Sequence, residues 1–265
     1  MSNRETSRVA LVTGANGAIG TAIAAGIAAA PGFDVVLVCR DASRGERARK
    51  AVERASAGGA VRLELADLGR RAAVEALAER WEGPLHVLVN NAALAPPRRE
   101  ETPEGIELQW AVNVLGYHWM MQAFRAMLEA AAPARIVNVC SYWAGGLDLD
   151  DPEFKRRPYD NDSAYRQSKQ AGRMLSAAWA EKLSAAGVTV NACHPGDVVS
   201  RLSTDLGFGG YDTPEQGAAT PVMLATQPVG AENTGKYFEH QREHTCRFSA
   251  DRAAVARLLR LCESY

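Results

Sequence analysis

An apolar run at 8–13, RVALVT, passes directly into the glycine-rich segment TGANGAIG at 13–20 and then into an alanine-rich stretch. The β-branched run reads as a strand, the glycines permit a tight turn and the alanines favour a helix, so the chain opens on a strand-turn-helix unit. Such a unit aims the free N–H groups and positive dipole end of a helix N-terminus at one point above the strand. That arrangement suits a phosphate or pyrophosphate, with Gly14, Asn16, Gly17, Ala18, Ile19 and Gly20 as the expected contacts.

The rest of the chain keeps the rhythm. DVVLVC (34–39), VRLEL (61–65), LHVLVN (85–90), ARIVNVC (134–140), VTVNAC (188–193) and GKYF (235–238) alternate with helical stretches near 18–30, 43–57, 69–81, 104–131, 163–186 and 214–225. The alternation predicts an α/β, doubly wound fold: a parallel sheet of about seven strands with helices placed on both faces by right-handed crossovers. Residues 1–265, 47% hydrophobic, fill one large core, and no linker or repeat divides them, so a single domain is expected. Two stretches, 142–162 and 197–212, are irregular and rich in turn formers. Each follows the carboxyl end of a strand, where open α/β sheets bind ligands.

Composition narrows the function classes. The formal net charge is −1 and the cationic residues are dispersed, which sets nucleic acid aside. No run approaches the roughly 18 apolar residues of a membrane span, and the N-terminal MSNRETSR is polar where a secretory signal would be apolar, so a soluble, cytoplasmic protein is expected. The five cysteines show no CxxC spacing, and Cys39, Cys140 and Cys193 end strand-like runs as reduced, buried thiols do. His86, His118, His194, His240 and His244 have no ligand spacing, so no metal is expected.

Tyr165 and Lys169 stand one helical turn apart in AYRQSKQA. A phenol titrates near pH 10, so exchanging a proton near neutrality costs about 4 kcal/mol unless neighbours favour the phenolate. A cation at i+4 shares the helix face and lowers an acid's pKa by about 1 to 3 units, so the pair points to proton transfer. About 20 residues beyond the glycine turn stand Cys39, Arg40 and Asp41, with Arg44 following. Arg40 and Arg44 suit an adenosine 2′-phosphate and favour NADP(H) over NAD(H), although Asp41 is able to take a 2′-hydroxyl instead.

TGANGAIG, then NNAA at 90–93, Asn113, Ser141, and Tyr165 with Lys169 occur in that order, and together they resemble the short-chain dehydrogenase/reductase family over nearly the whole chain. VCRDASRGE, ELQWAVNVLGYHWM, RIVNVCSYWAG, SAYRQSKQAGRML, CHPGDVVSRL, GKYF and the tail DRAAVARLLRLCESY are similar to its retinol-dehydrogenase-like branch. The resemblance implies a Rossmann-type NAD(P)-binding domain and a set of roles. Tyr165 is then the general acid in carbonyl reduction and the base in alcohol oxidation, Lys169 lowers its pKa and binds the nicotinamide ribose, and Ser141 donates a hydrogen bond to the substrate oxygen. Asn113 holds a water linking Lys169 to solvent, Asp67 with Leu68 meets the adenine, and Asn90 and Ala92 line the groove. Pro195, Gly196, Asp197 and Val198 with Ser200 seat the carboxamide, and the helices at 104–131 and 163–186 form a homodimer surface.

The chain departs from the family pattern where Ala18 replaces the middle glycine of TGxxxGxG, and where NNAA replaces NNAG. A methyl at 18 is tolerable only with negative φ and room for the phosphate. Gly17 also allows the turn to be read as the TGxxGxxG of extended members, epimerases or dehydratases of nucleotide sugars.

Tyr142, Trp143, Phe154 and Tyr159 in the first irregular stretch, Trp119 before it and Phe208 in the second are candidates for an apolar substrate pocket. The expected activity is NADP(H)-dependent interconversion of a carbonyl and an alcohol on an apolar or bulky small molecule, running toward reduction. A catalytically idle dinucleotide sensor on the same fold is the alternative of a different class, and the joint presence of Asn113, Ser141, Tyr165 and Lys169 argues against it.

Overall fold

The computed structural model describes residues 7–265; residues 1–6, on which the reading of a polar N-terminus and the start of the 1–265 domain partly rest, lie outside the described residues. Eight strands form one sheet: β1 (Arg8–Thr13), β2 (Phe33–Cys39), β3 (Val61–Leu65), β4 (Val87–Asn90), β5 (Ala134–Val139), β6 (Val188–Cys193), β7 (Tyr237–Glu239) and β8 (Arg242–His244). Their order is β3-β2-β1-β4-β5-β6-β7-β8, so the winding reverses beside β1, where a crevice opens above the strand ends. All pairs are parallel except β7 with β8. The seven parallel strands match the expected sheet, and the eighth is added antiparallel at its edge. It is short, charged and exposed at the sheet edge, and it is reached through His240 and Gln241, both at positive φ, as a two-residue hairpin turn requires.

The central strands are buried on both faces, which is why they read as continuous apolar runs. One layer holds α1 (Ala18–Ala28), α2 (Ala42–Ala55) and α9 (Pro214–Thr226), packed through Ile23, Ile27, Val52 and Leu224. The other holds α3 (Arg71–Glu79), α5 (Gly116–Ala123) and α7 (Asn161–Leu183), around Trp110, Phe124 and Trp179. The single helix expected at 104–131 is instead α4 (Leu108–Trp110), a wider π-type turn (Ala111–Leu115), α5 and α6 (Arg125–Ala130). Glu107 fixes its start: the carboxylate accepts the Gln109 and Trp110 N–H groups at 2.9 and 2.7 Å. Within the second irregular stretch, Ser200 and Ser203 form a reciprocal cap that starts the short helix α8 (Arg201–Asp205). A further short helix, α10 (Pro228–Glu232), follows α9.

The last helix, α11 (Arg252–Glu263), packs Val255, Leu258 and Cys262 onto α7. Ion pairs Lys182–Glu263 (3.0 Å) and Arg252–Glu181 run along the seam. Nearly all of α7 is consequently buried, and Tyr117, Trp119, Met120 and Met121 of α5 lie in the same core. Within the chain, α11 and the core thus cover the inward flanks of α5 and α7. Among the described residues no helix is long and apolar enough to cross a membrane. All five cysteines are free thiols, four of them buried, and burial pushes Cys39 and Cys140 up to about 11.

Candidate active site

A cleft of about 780 Å³ runs over the carboxyl ends of β1, β2 and β4. Its floor explains the glycine turn. Gly14 has φ +62°, and a Cβ there would stand 2.7 Å from Ala92 Cα; a Cβ on Gly20 would overlap the Gly14 carbonyl oxygen and stand 2.6 Å from Asn91 Nδ2. Both positions exclude a side chain, and so leave a bare backbone cradle. Gly17 caps α1 with φ −86° and no side-chain hydrogen bond, which leaves the first N–H groups of α1 to a ligand. Ala18 is the first residue of α1, exposed in the cleft and not at positive φ, so its methyl meets the condition on φ stated above. This floor fits the pyrophosphate of a dinucleotide.

At the far end of the cleft lie Arg40 and Arg44, neither in an ion pair among the described residues. The carboxylate of Asp41 is occupied as the cap of α2, accepting the Arg44 N–H. Asp67 accepts the Gly69 N–H at 3.1 Å and, with Leu68 and Ala92, lines the cleft. Asn90 does not. It is fully buried and donates to Asn138 Oδ1 at 2.9 Å, because successive strand side chains point to opposite faces. Asn91 takes the place assigned to it: anchored to the Thr13 carbonyl at 2.8 Å, it lines both the cleft and the adjoining pocket.

That pocket, about 50 Å³, brings Ser141, Tyr165 and Lys169 together at the ends of β5 and β6, with Pro195, Gly196, Val198 and Ser200 opposite. Ser141 Oγ accepts the Trp143 N–H at 3.0 Å, which leaves its own proton free to donate. Lys169, 3% exposed, donates to the Val139 carbonyl at 3.1 Å, which Tyr117 also engages at 3.0 Å, and its Nζ stands 5.5 Å from the Tyr165 ring centre. Burial is the dominant influence on both. It raises the Tyr165 phenol well above its ordinary value, against a smaller lowering by the neighbouring Ser141 hydroxyl, and it lowers the ammonium of Lys169.

Asn113 sits in the π-type turn, outside the pocket. Its side chain pairs with both backbone groups of Leu94, at 3.0 and 2.9 Å, and donates to Ser168 Oγ at 3.2 Å; Ser168 in turn donates to the Tyr165 carbonyl. It ties the cleft wall to α7.

The aromatic candidates divide. Trp143 packs edge-on against Tyr165 and Phe208, with ring centres 6.5 and 5.8 Å apart, and all three line the pocket. Tyr142 is exposed outside the pocket lining, donating to Asp197 at 3.2 Å and edge-on to His194. Phe154, Tyr159 and Trp119 are not in the pocket. Phe154 is buried under Arg157 and against Tyr159, whose hydroxyl donates to the Pro96 carbonyl at 3.0 Å, and Trp119 belongs to the core beneath α7. The sequence reading missed Leu202 and Leu206 beside α8, and His194, which burial and nearby cations keep neutral, down at about 3. The i, i+4 spacing of the two leucines was the available signal. Among the described residues no group of three or more His, Cys, Asp or Glu side chains is placed to hold a metal.

The model of the family described as short chain dehydrogenase matches residues 8–207. A probable oxidoreductase of Streptomyces lividans is 39% identical over 90% of this chain and 86% of its own length. Mouse retinol dehydrogenase 13 is 32% identical over 95% of this chain and 81% of its own. Among solved structures, a short chain dehydrogenase from Burkholderia cenocepacia in complex with NADP superposes with a TM-score of 0.71 at 26% identity, over 90% of this chain and 97% of that one.

Proposed function

The chain belongs to the short-chain dehydrogenase/reductase family, and on that premise we propose that it is an NADP(H)-dependent oxidoreductase reducing the carbonyl of an apolar or bulky small molecule, with Tyr165 as proton donor. The observation that carries the reading is the convergence of Tyr165, Ser141 and Lys169 in one pocket that opens onto the glycine-floored cleft. Gly14, Gly20 and the start of α1 would hold the pyrophosphate, with Arg40 and Arg44 toward a 2′-phosphate and Lys169 toward the nicotinamide ribose. When bound, the nicotinamide supplies the hydride.

The chain's own contribution is the proton and its surroundings. Burial raises the Tyr165 phenol, so the residue enters the reaction carrying the proton. Ser141 has its proton free for the carbonyl oxygen and so favours the negative charge that grows there. As Tyr165 gives up its proton, the ammonium of Lys169 offsets the phenolate left behind. Trp143, Leu202, Leu206 and Phe208 supply apolar walls that hold water away and favour an apolar substrate. Reading NADP(H) over NAD(H) rests on the two arginines at the adenosine end, on Asp41 being spent as a helix cap, and on the NADP-bound neighbour.

The test is carbonyl-dependent loss of NADPH absorbance over a panel of apolar ketones and aldehydes, with wild type and Tyr165→Phe compared. The expected result is turnover by wild type and a fall of about 100-fold or more in the variant, with dinucleotide affinity retained. No consumption by wild type on any carbonyl, or equal rates in the two proteins, would overturn the reading.

A further inference from the structure

Arg173 lies one helical turn beyond Lys169 and two beyond Tyr165, so the three share the face of α7 turned toward the strand ends. Lys169 reaches the Val139 carbonyl, and Arg173 Nη1 makes a long hydrogen bond, 3.5 Å, to the Ser141 carbonyl. Two cations from successive turns of α7 therefore hold the segment that ends in Ser141.

Arg173 is an unusual group to find in this position. It is 7% exposed and no carboxylate stands within ion-pair distance among the described residues. Its guanidinium is instead stacked between aromatic rings, 3.4 Å from the centre of Tyr237 and 5.0 Å from that of Phe248. A buried cation without a counter-ion is costly, and stacking returns only part of that cost. Its charge is felt in the pocket: it helps keep His194 neutral and eases ionisation of the Cys140 thiol, both of which line the site. The carboxylate of Asp197, also in the lining, is engaged by the Tyr142 hydroxyl.

Resting on the carbonyl-reduction reading above, we propose that Arg173 is a positioning residue for that reaction. It holds the Ser141 carbonyl so that the hydroxyl of Ser141 stays turned to Tyr165 and the substrate oxygen, and its charge, unpaired with any carboxylate, strengthens that hold. A purely structural stack, tying Phe248 and Tyr237 to α7, would lower stability without this kinetic signature.

The experiment uses the full chain with saturating NADPH and the best ketone of the panel, and compares wild type, Arg173→Met, Arg173→Lys, Ser141→Ala and the double variant Arg173→Met with Ser141→Ala. Arg173→Met is expected to lower kcat by about 10- to 100-fold, with KM for ketone and affinity for NADPH nearly unchanged. Arg173→Lys, which keeps the charge, recovers most of that loss. The double variant is no slower than Ser141→Ala alone, because Arg173 acts through Ser141. Should the Met variant not fold, Arg173→Gln, which keeps planarity and N–H donors but no charge, is held to the same expectations. An unchanged kcat in Arg173→Met, equal rates in the Met and Lys variants, or losses that simply multiply with Ser141→Ala overturn the assignment while leaving the reduction reading intact. A wild type that reduces no carbonyl sinks the reduction reading, and this inference with it.

Discussion

Asp41 accepts the backbone N–H of Arg44 at 2.7 Å, so one oxygen of the acid that follows Arg40 is engaged at the start of α2. Arg40 and Arg44 line the same end of the cleft. Replacing both, Arg40→Ala with Arg44→Ala, is expected to weaken NADPH by about 10- to 100-fold while changing NADH little, since the 2′-phosphate is the only group that distinguishes them. Titration of nicotinamide fluorescence with each dinucleotide measures it. An equal loss for both would show that the arginines do not read the phosphate.

The glycines of the first turn are expected to differ sharply. A Cβ at position 20 would overlap the Gly14 carbonyl, whereas at position 17 the nearest atom is that same oxygen at 3.4 Å, in an unstrained backbone. Gly20→Ala should cost about 1 to 3 kcal/mol in urea unfolding and abolish dinucleotide binding. Gly17→Ala should keep its stability within about 0.5 kcal/mol of wild type.

Glu107 gives stability a pH slope. Burial is the largest influence on its carboxyl and pushes it up to about 7, against the Gln109 and Trp110 N–H groups and nearby Arg99, with Glu153 adding repulsion. Between the ordinary carboxyl range and pH 7 the folded protein holds a proton that the unfolded chain has released, so stability falls as pH rises through that window. The fall is at most about 3 kcal/mol, complete above pH 7. Glu107→Gln should flatten it, at a fixed loss of about 1 kcal/mol from the weakened cap. Urea midpoints from pH 5 to 8 decide the matter, and parallel curves for the two proteins would contradict it.

Phe208 is expected to act on binding and not on chemistry. It sits edge-on to Trp143 at the mouth of the pocket, between Gly207 and Gly209, and touches neither Ser141 nor Lys169 through any hydrogen bond. Phe208→Ala should raise KM for a bulky apolar ketone by about 10-fold with kcat nearly unchanged, and leave a small polar carbonyl unaffected. Steady-state kinetics on the two substrates separates these outcomes.

The sheet was legible because its strands are buried on both faces, and a run such as RVALVT or ARIVNV has no other stable place to lie. The glycine turn was legible to the residue, since only a missing side chain satisfies Gly14 and Gly20. What spacing does not encode is direction and depth. It gave no means of choosing Asn91 over Asn90, and it ranked Phe154 with Trp143 although the loop folds Phe154 inward under Arg157. The i+4 cation beside Tyr165 was correctly placed on the helix, but the depth at which both groups are buried depends on the sheet and loops closing around them. β8 was hidden for the opposite reason: an exposed edge needs charge, and charge erases the strand pattern.

Because α11 supplies the outer wall of α7, residues 184–251 must be synthesised before the helix bearing Tyr165 and Lys169 is enclosed. Until then a long apolar flank faces water. Enclosure of that helix therefore waits on segments made well after it, β6 to β8 and α11 among them, and a chain interrupted before α11 leaves it with a bare flank.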